Sequence, residues 1–242
     1  MSLLEVQGVG KAFGGLQAID HLDFAVAEGE IVGLIGPNGS GKTTTLNLLT
    51  GFLRPDSGTI SFRGRDVTGL PPHRLCRLGV ARTFQLVKPF LGFTALENVL
   101  VGLTYGRRAP QGRAAAERGA REVLERVGLG DRSGALAKDL TLMQRKRLEL
   151  ARALATGPEL LLLDELMAGL GPAEARDACA LVRQTRAAGV TILLVEHNVK
   201  VICGVSDRVI VRNMGGKIAE GRPDDVICHP EVVEVYLGQA HA

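Results

Sequence analysis

The chain has 242 residues, 45% hydrophobic and 4% aromatic, with a formal net charge of +3. This length and apolar content suit one α/β domain carrying a small inserted subdomain, and they exclude a disordered chain. The lack of Trp and the weak charge bias argue against a stacking platform for single-stranded nucleic acid and against a polyanion-binding surface.

The first residues, MSLLEVQGVGK, carry an early acid and no apolar core segment, unlike a signal peptide. LLEVQ alternates as a strand, the glycine-rich GVGKAFGG reads as a turn, and DFAV and IVGLIG read as strands flanking the turn AEGE. From Gly41 the chain turns helical through TTTLNLLTG, with Gly51 as its C-cap. GTISF and RDV read as short strands, and LGVARTF as another that ends near Gln85. Helical spacing then takes over in TALENVLVGL, AAAERGAREVLERVGL and MQRKRLELARALA. An all-helical subdomain inserted at about 88–157 is therefore expected within a single domain spanning 1–242.

After Pro158 the alternation resumes: strand ELLLLDE, helix PAEARDACALVRQTRAAG, strand VTILLVEH, a short helix, then strands DRVIVRN and GKIAEG. Unbroken apolar strands separated by helices imply a mainly parallel sheet covered on both faces. No apolar run approaches the roughly 18 residues of a membrane span. Cys76, Cys179, Cys203 and Cys228 are scattered and form no CxxC pair, so neither a zinc site nor a disulfide framework is expected; they read as reduced thiols in the core.

GPNGSGKTT (36–44) matches G-x-x-x-x-G-K-[ST] and lies between strand IVGLI and a helix, the setting a phosphate loop needs. Its glycines let backbone N–H groups converge on phosphate oxygens at a helix N-terminus, where the macrodipole also favours anions. The candidate triphosphate-binding residues are thus Gly36, Pro37, Asn38, Gly39, Ser40, Gly41, Lys42, Thr43 and Thr44. Lys42 is expected to reach the β and γ phosphates, and Thr43 to offer its hydroxyl to Mg²⁺. ELLLLDE (159–165) ends in Asp164, placed to hold Mg²⁺ through water, and then Glu165, where a general base for an attacking water belongs. Alone, that strand end would be two solvated acids; the phosphate loop upstream gives it meaning. VTILLVEHN brings His197 to the end of a further strand. Parallel strand ends converge at one sheet edge, so His197 is expected at the γ-phosphate, against the bland reading of a surface histidine.

These residues resemble the ATP-binding subunits of ABC transporters over nearly the whole chain. The resemblance implies a P-loop NTPase core with a mainly parallel sheet, an N-terminal antiparallel β subdomain and an inserted helical subdomain. GPNGSGKTT looks like Walker A, and LLLLDE like Walker B with Glu165 as its catalytic glutamate. ARTFQ places Gln85 as the Q-loop glutamine, also a Mg²⁺ ligand, and EHN places His197 as the switch histidine. Phe13 in KAFGG matches the aromatic that stacks on adenine; its alternative is a turn residue covering the small sheet. More narrowly, FGGLQAI, GPNGSGKTTTLNLLTGF, ARTFQLVKPFLGFTALENVLVG and EVVEVYLG are similar to the long ATPase subunit of branched-chain amino-acid importers. The apolar LVKPFLGF after Gln85 falls where this family meets its permease; the competing reading packs Phe90, Leu91 and Phe93 into the helical insert.

Three positions depart from the family pattern. The signature LSGGQ is LTLMQ (140–144), Leu166 stands where proline is commoner, and Gly171 stands where Asp or Asn is usual. Thr141 keeps a hydroxyl, and Leu142 and Met143 keep their N–H groups, so Thr141, Met143 and Gln144 remain candidates to face the nucleotide of an opposing subunit. The resemblance implies ATP and Mg²⁺ as ligands and ABC permease subunits as partners. It also implies a second, identical or paralogous ATPase subunit and, indirectly, a solute-binding protein. No nucleic-acid partner is expected, and the implied place is peripheral, at the cytoplasmic face of the plasma (inner) membrane. The alternatives are a regulatory subunit that binds ATP with little hydrolysis, and a soluble ABC-type ATPase acting on DNA or the ribosome.

Overall fold

The computed structural model describes residues 2–85 and 88–237. In chain order its elements are β1 (Ser2–Phe13), β2 (Leu16–Ala27), β3 (Ile31–Ile35), α1 (Lys42–Leu49), β4 (Ser57–Phe62), β5 (Arg65–Asp66), α2 (Pro72–Leu78) and β6 (Val80–Arg82). Next come α3 (Ala95–Tyr105), α4 (Arg113–Arg126), α5 (Leu142–Ala155), β7 (Leu160–Asp164), α6 (Pro172–Ala187) and β8 (Thr191–Val195). The chain closes with α7 (Val199–Val205), β9 (Arg208–Asn213), β10 (Gly216–Gly221), α8 (Pro223–Ile227) and α9 (Pro230–Leu237). It forms two compact units, one made of residues up to Pro72 and from Val182 on, the other of His73–Leu181.

In the first unit, β1 pairs antiparallel with β2 and β4, giving the order β2-β1-β4-β5. The glycine-rich stretch expected as a turn is mostly strand: β1 runs through to Phe13, and the chain reverses only at Gly14 and Gly15. Register shifts along β1 absorb the glycines as bulges, and the Asp23 carboxylate accepts the Gly8 N–H at 2.6 Å. The same unit holds β10-β9-β3-β8, in which β3 is parallel to both β8 and β9 while β10 returns antiparallel to β9. All five residues of β3 and all five of β8 are buried, as a strand covered on both faces requires. α1 ends as its sequence foretells: the Phe52 N–H reaches back to the Asn47 carbonyl at 2.9 Å around Gly51.

In the second unit, β6 and the fully buried β7 pair in parallel. Helices α3, α4 and α5 pack on one another. α3 begins with a capping box in which Thr94 and Glu97 satisfy each other's backbone N–H groups. β6 stops at Arg82, three residues short of the expected end; just beyond it the Thr83 N–H reaches the Leu162 carbonyl at 2.9 Å and the Thr83 hydroxyl accepts the Asp164 N–H at 3.2 Å, so contact with β7 goes on through a side chain. Short helices α2, α8 and α9 were not apparent in the sequence pattern. The thiols also differ from expectation: Cys76, Cys179 and Cys203 are half-buried and Cys228 is exposed, since three lie on short or solvent-flanked helices and one follows α8. None is in a disulfide. No described helix is long and apolar enough to cross a membrane.

Candidate nucleotide site

The phosphate loop belongs to the first unit and joins β3 to α1. It needs glycine at two places for lack of room: a Cβ on Gly36 would stand 2.5 Å from the Ser40 hydroxyl, and one on Gly41 would stand 2.5 Å from the Ala18 carbonyl oxygen. Lys42 is nearly buried, and its ammonium curls back over the loop, donating to the carbonyls of Gly36 at 2.7 Å and Pro37 at 2.8 Å. The Ser40 hydroxyl is buried with no hydrogen-bond partner among the described residues. An unsatisfied buried hydroxyl, a held cation and a left-handed Gly41 at the head of α1 suit this loop to an anion better than to a plain turn. Thr43 is exposed and Thr44 half-buried.

His197 is also in this unit, exposed, two residues beyond the end of β8, while its neighbour Glu196 is buried. Phe13 ends β1 and is 46% exposed; the Lys11 ammonium sits 5.7 Å from its ring centre.

The second unit gathers the acids. Asp164 and Glu165 are both buried at the end of β7. Asp164 accepts from the Arg82 guanidinium through one carboxylate oxygen at 2.7 Å, leaving the other without a hydrogen bond among the described residues. The Gln85 amide donates to the Glu165 carboxylate at 2.7 Å, so the two residues singled out from ARTFQ and LLLLDE meet. Glu165 has φ 51°, a left-handed conformation uncommon for a residue with a side chain. Lys146 on α5 helps to hold it there, donating to the Glu165 carbonyl at 3.1 Å and to the Leu166 carbonyl at 2.9 Å. A strained backbone survives only when the surroundings fix it, and Lys146 is part of that fixation.

Neither Arg82 nor Lys146 was singled out from the sequence, and nor was Glu149. The carboxylate of Glu149 on α5 accepts the Phe84 N–H at 2.7 Å, directly before Gln85. Burial pushes Glu149 up to about 7, against the pull of that N–H and of Arg152 and Lys146. The one sequence clue was position, since Arg82 and Phe84 flank Thr83 just before Gln85. Partners for α5 lie too far along the chain to be read from spacing.

The LTLMQ segment forms the start of α5. Thr141 is the N-cap; its hydroxyl accepts the Gln144 N–H at 3.3 Å, and the Gln144 side chain accepts the Thr141 N–H at 3.0 Å. The Gln144 side-chain oxygen thus bonds back to its own helix. Leu142 and Met143 sit in the first helical turn without positive φ, so neither position needs glycine for its backbone. Leu142 is exposed. Leu166 is buried, and the Gly171 N–H is taken by the Glu174 carboxylate at 2.9 Å ahead of α6.

Phe90, Leu91 and Phe93 are 42%, 51% and 46% exposed, which excludes full packing into the helical insert. The loop beneath them is nonetheless held: buried Asn98 accepts the Phe90 N–H at 2.9 Å and donates to the Phe90 carbonyl at 3.1 Å. The Arg152 guanidinium lies 4.6 Å from the Phe90 ring centre. Leu86 and Val87, part of the apolar stretch noted in the sequence, lie outside the described residues.

A family model described as ABC transporter matches residues 19–168, and one described as branched-chain amino acid ATP-binding cassette transporter matches residues 217–242. The high-affinity branched-chain amino acid transport ATP-binding protein LivG of Salmonella typhimurium is 43% identical over 251 residues, covering 98% of each chain. The corresponding protein BraF of Pseudomonas aeruginosa is 41% identical over 252 residues, again covering 98% of each. Among solved structures, the ADP conformation of an ATP-binding cassette of an ABC transporter superposes with a TM-score of 0.89 at 35% identity, covering 98% of this chain and 99% of that one. A dimeric cassette bound to ADP and Pi superposes with a TM-score of 0.82 at 25% identity, covering 91% of this chain and 98% of that one.

Proposed function

The chain belongs to the ABC transporter family of ATP-binding cassettes, and we propose that it is the ATP-hydrolysing subunit of an importer for branched-chain or other hydrophobic amino acids. The observation that carries the reading is the hydrogen bond from Gln85 to Glu165 beside Asp164, in a chain alike along its full length to branched-chain amino acid transport ATP-binding proteins. In this reading Phe13 takes the adenine, the loop 36–44 takes the phosphates, and Lys42 reaches the β and γ groups. Thr43, the Gln85 amide oxygen and Asp164 through water form an all-oxygen donor set of the kind Mg²⁺ prefers, and the free oxygen of Asp164 fits that role. When bound, the metal supplies positive charge against the β and γ phosphate oxygens. Glu165 orients a water and takes its proton, and His197 holds water, Glu165 and γ-phosphate in register.

A second subunit, identical or paralogous, closes over the nucleotide head-to-tail and presents Thr141, Met143 and Gln144 at the start of its α5. That helix terminus favours anions whichever side chains stand at 142 and 143. The alternative of a regulatory subunit draws on the missing signature glycines. The helical backbone of Leu142 and Met143 weighs against it, because glycine's freedom is unused there. Replacing both Leu142 and Met143 with Gly is expected to leave ATP turnover equal to that of the parent or higher. An inactive double variant beside an active parent, in a phosphate-release assay, would assign the bulky side chains a role of their own.

Permease subunits dock on the apolar patch of Phe90, Leu91 and Phe93, and a solute-binding protein acts through them from the far side. The chain is then peripheral, at the cytoplasmic face of the inner membrane. Asp at both Phe90 and Phe93 tests this surface. Both rings are already half-exposed, so the melting temperature should change little and basal ATP turnover should persist, while recovery of permease with the tagged chain from solubilised membranes is lost. Unchanged recovery would place the permease contact elsewhere.

A further inference from the structure

A buried arginine stands behind the phosphate loop. Arg212 lies on β9 with its side chain fully buried (0% exposed). One terminal nitrogen donates to the Gly41 carbonyl at 3.3 Å and to the Thr45 hydroxyl; the other donates to the Gly215 carbonyl. Its Nε has no partner among the described residues. Every acceptor it has among the described residues is neutral. Burial alone pulls its pKa down to about 10, with no acid drawing it back up, and a guanidinium stays charged at neutral pH.

An uncompensated buried cation is costly to a fold, and apolar replacements at such places are often neutral or stabilising. The groups Arg212 holds indicate what offsets that cost. Gly41 immediately precedes Lys42, and Thr45 lies in the same first turn of α1. The Arg212 carbonyl also lies under Gly36, where a Cβ would strike it. Arg212 therefore touches both ends of the loop while contributing a full positive charge to its underside.

We propose that Arg212 is a positioning residue of the phosphate site, whose unpaired charge is balanced by the polyphosphate of the bound nucleotide and which sets the loop through Gly41. The proposal rests on the nucleotide reading above. It follows that Arg212 favours ligands in order of phosphate charge and that nucleotide stabilises the chain partly by neutralising it.

The test uses the full chain with R212M and R212K, measuring Mg·ATP and Mg·ADP affinity by calorimetry and melting temperature without nucleotide. R212M should melt no lower than the parent, yet bind ATP about tenfold more weakly, as expected for losing one unit charge at intermediate range, and lose less for ADP. R212K, which keeps the charge, should keep the parent's preference for ATP over ADP. A merely structural arginine would give the opposite pattern, a lower melting temperature with unchanged affinities in the folded fraction, and would overturn the proposal. If R212M does not fold, R212Q carries the same affinity comparison. A parent that binds no ATP would instead sink the nucleotide reading, whereas a parent that binds ATP beside an R212M of equal affinity sinks only the role of Arg212.

Discussion

Glu165→Gln should bind ATP as tightly as the parent and turn it over roughly 10²–10⁴-fold more slowly, the usual span for removing a general base. Glutamine matches the shape of glutamate and can still accept from the Gln85 amide, but it cannot take a proton from water. Its backbone should remain where it is, because Lys146 grips the carbonyls of Glu165 and Leu166 rather than the carboxylate. The consequence separates chemistry from assembly. The ATP-bound pair of subunits should persist longer in the variant, seen as a nucleotide-dependent dimer by size-exclusion chromatography, while phosphate release nearly stops. Parent-like turnover would show that Glu165 is not the base.

Lys42→Ala should weaken ATP binding by about 10²-fold, near the upper range for a lost charge-assisted hydrogen bond together with its coulombic attraction. The ammonium donates within the loop itself, to the Gly36 and Pro37 carbonyls. Its loss removes the Lys42 donor from both carbonyls, while the Pro37 carbonyl keeps the Ser40 N–H at 3.2 Å, so the loop should loosen only slightly and the melting temperature should fall by a few degrees at most. Collapse of the fold is not expected, since the core strands β3, β8 and β9 keep all their pairings. Equal ATP affinity of variant and parent by calorimetry would count against the loop as the phosphate site.

Legibility from sequence tracked chain distance. The phosphate loop, the unbroken apolar runs of β3, β7 and β8, and the helices α3 to α5 were readable because each is a local pattern of spacing or composition. The capping box of Thr141 and Gln144 was equally local, and its S/T-x-x-E/Q spacing was available to be read. The glycines of β1 misled, because glycine signals both turns and bulges and only pairing with β2 and β4 decides which. The helices α2, α8 and α9 run for 7, 5 and 8 residues, one or two turns that leave little repeated spacing to read. The contacts that fix the candidate site join residues far apart in sequence: Arg82 to Asp164, Phe84 to Glu149, Arg212 to Gly41. No spacing rule reaches across such gaps. The departures at 142 and 143 looked graver in sequence than in structure, where those positions adopt ordinary helical backbone.

The most direct test of the central claim is phosphate release from Mg·ATP by the chain co-purified with its membrane partners in detergent. The expected result is steady turnover that depends on Glu165, with permease subunits present in the active fraction. A chain that binds ATP, brings down no membrane protein and releases no phosphate would contradict the assignment as the hydrolysing subunit of an importer.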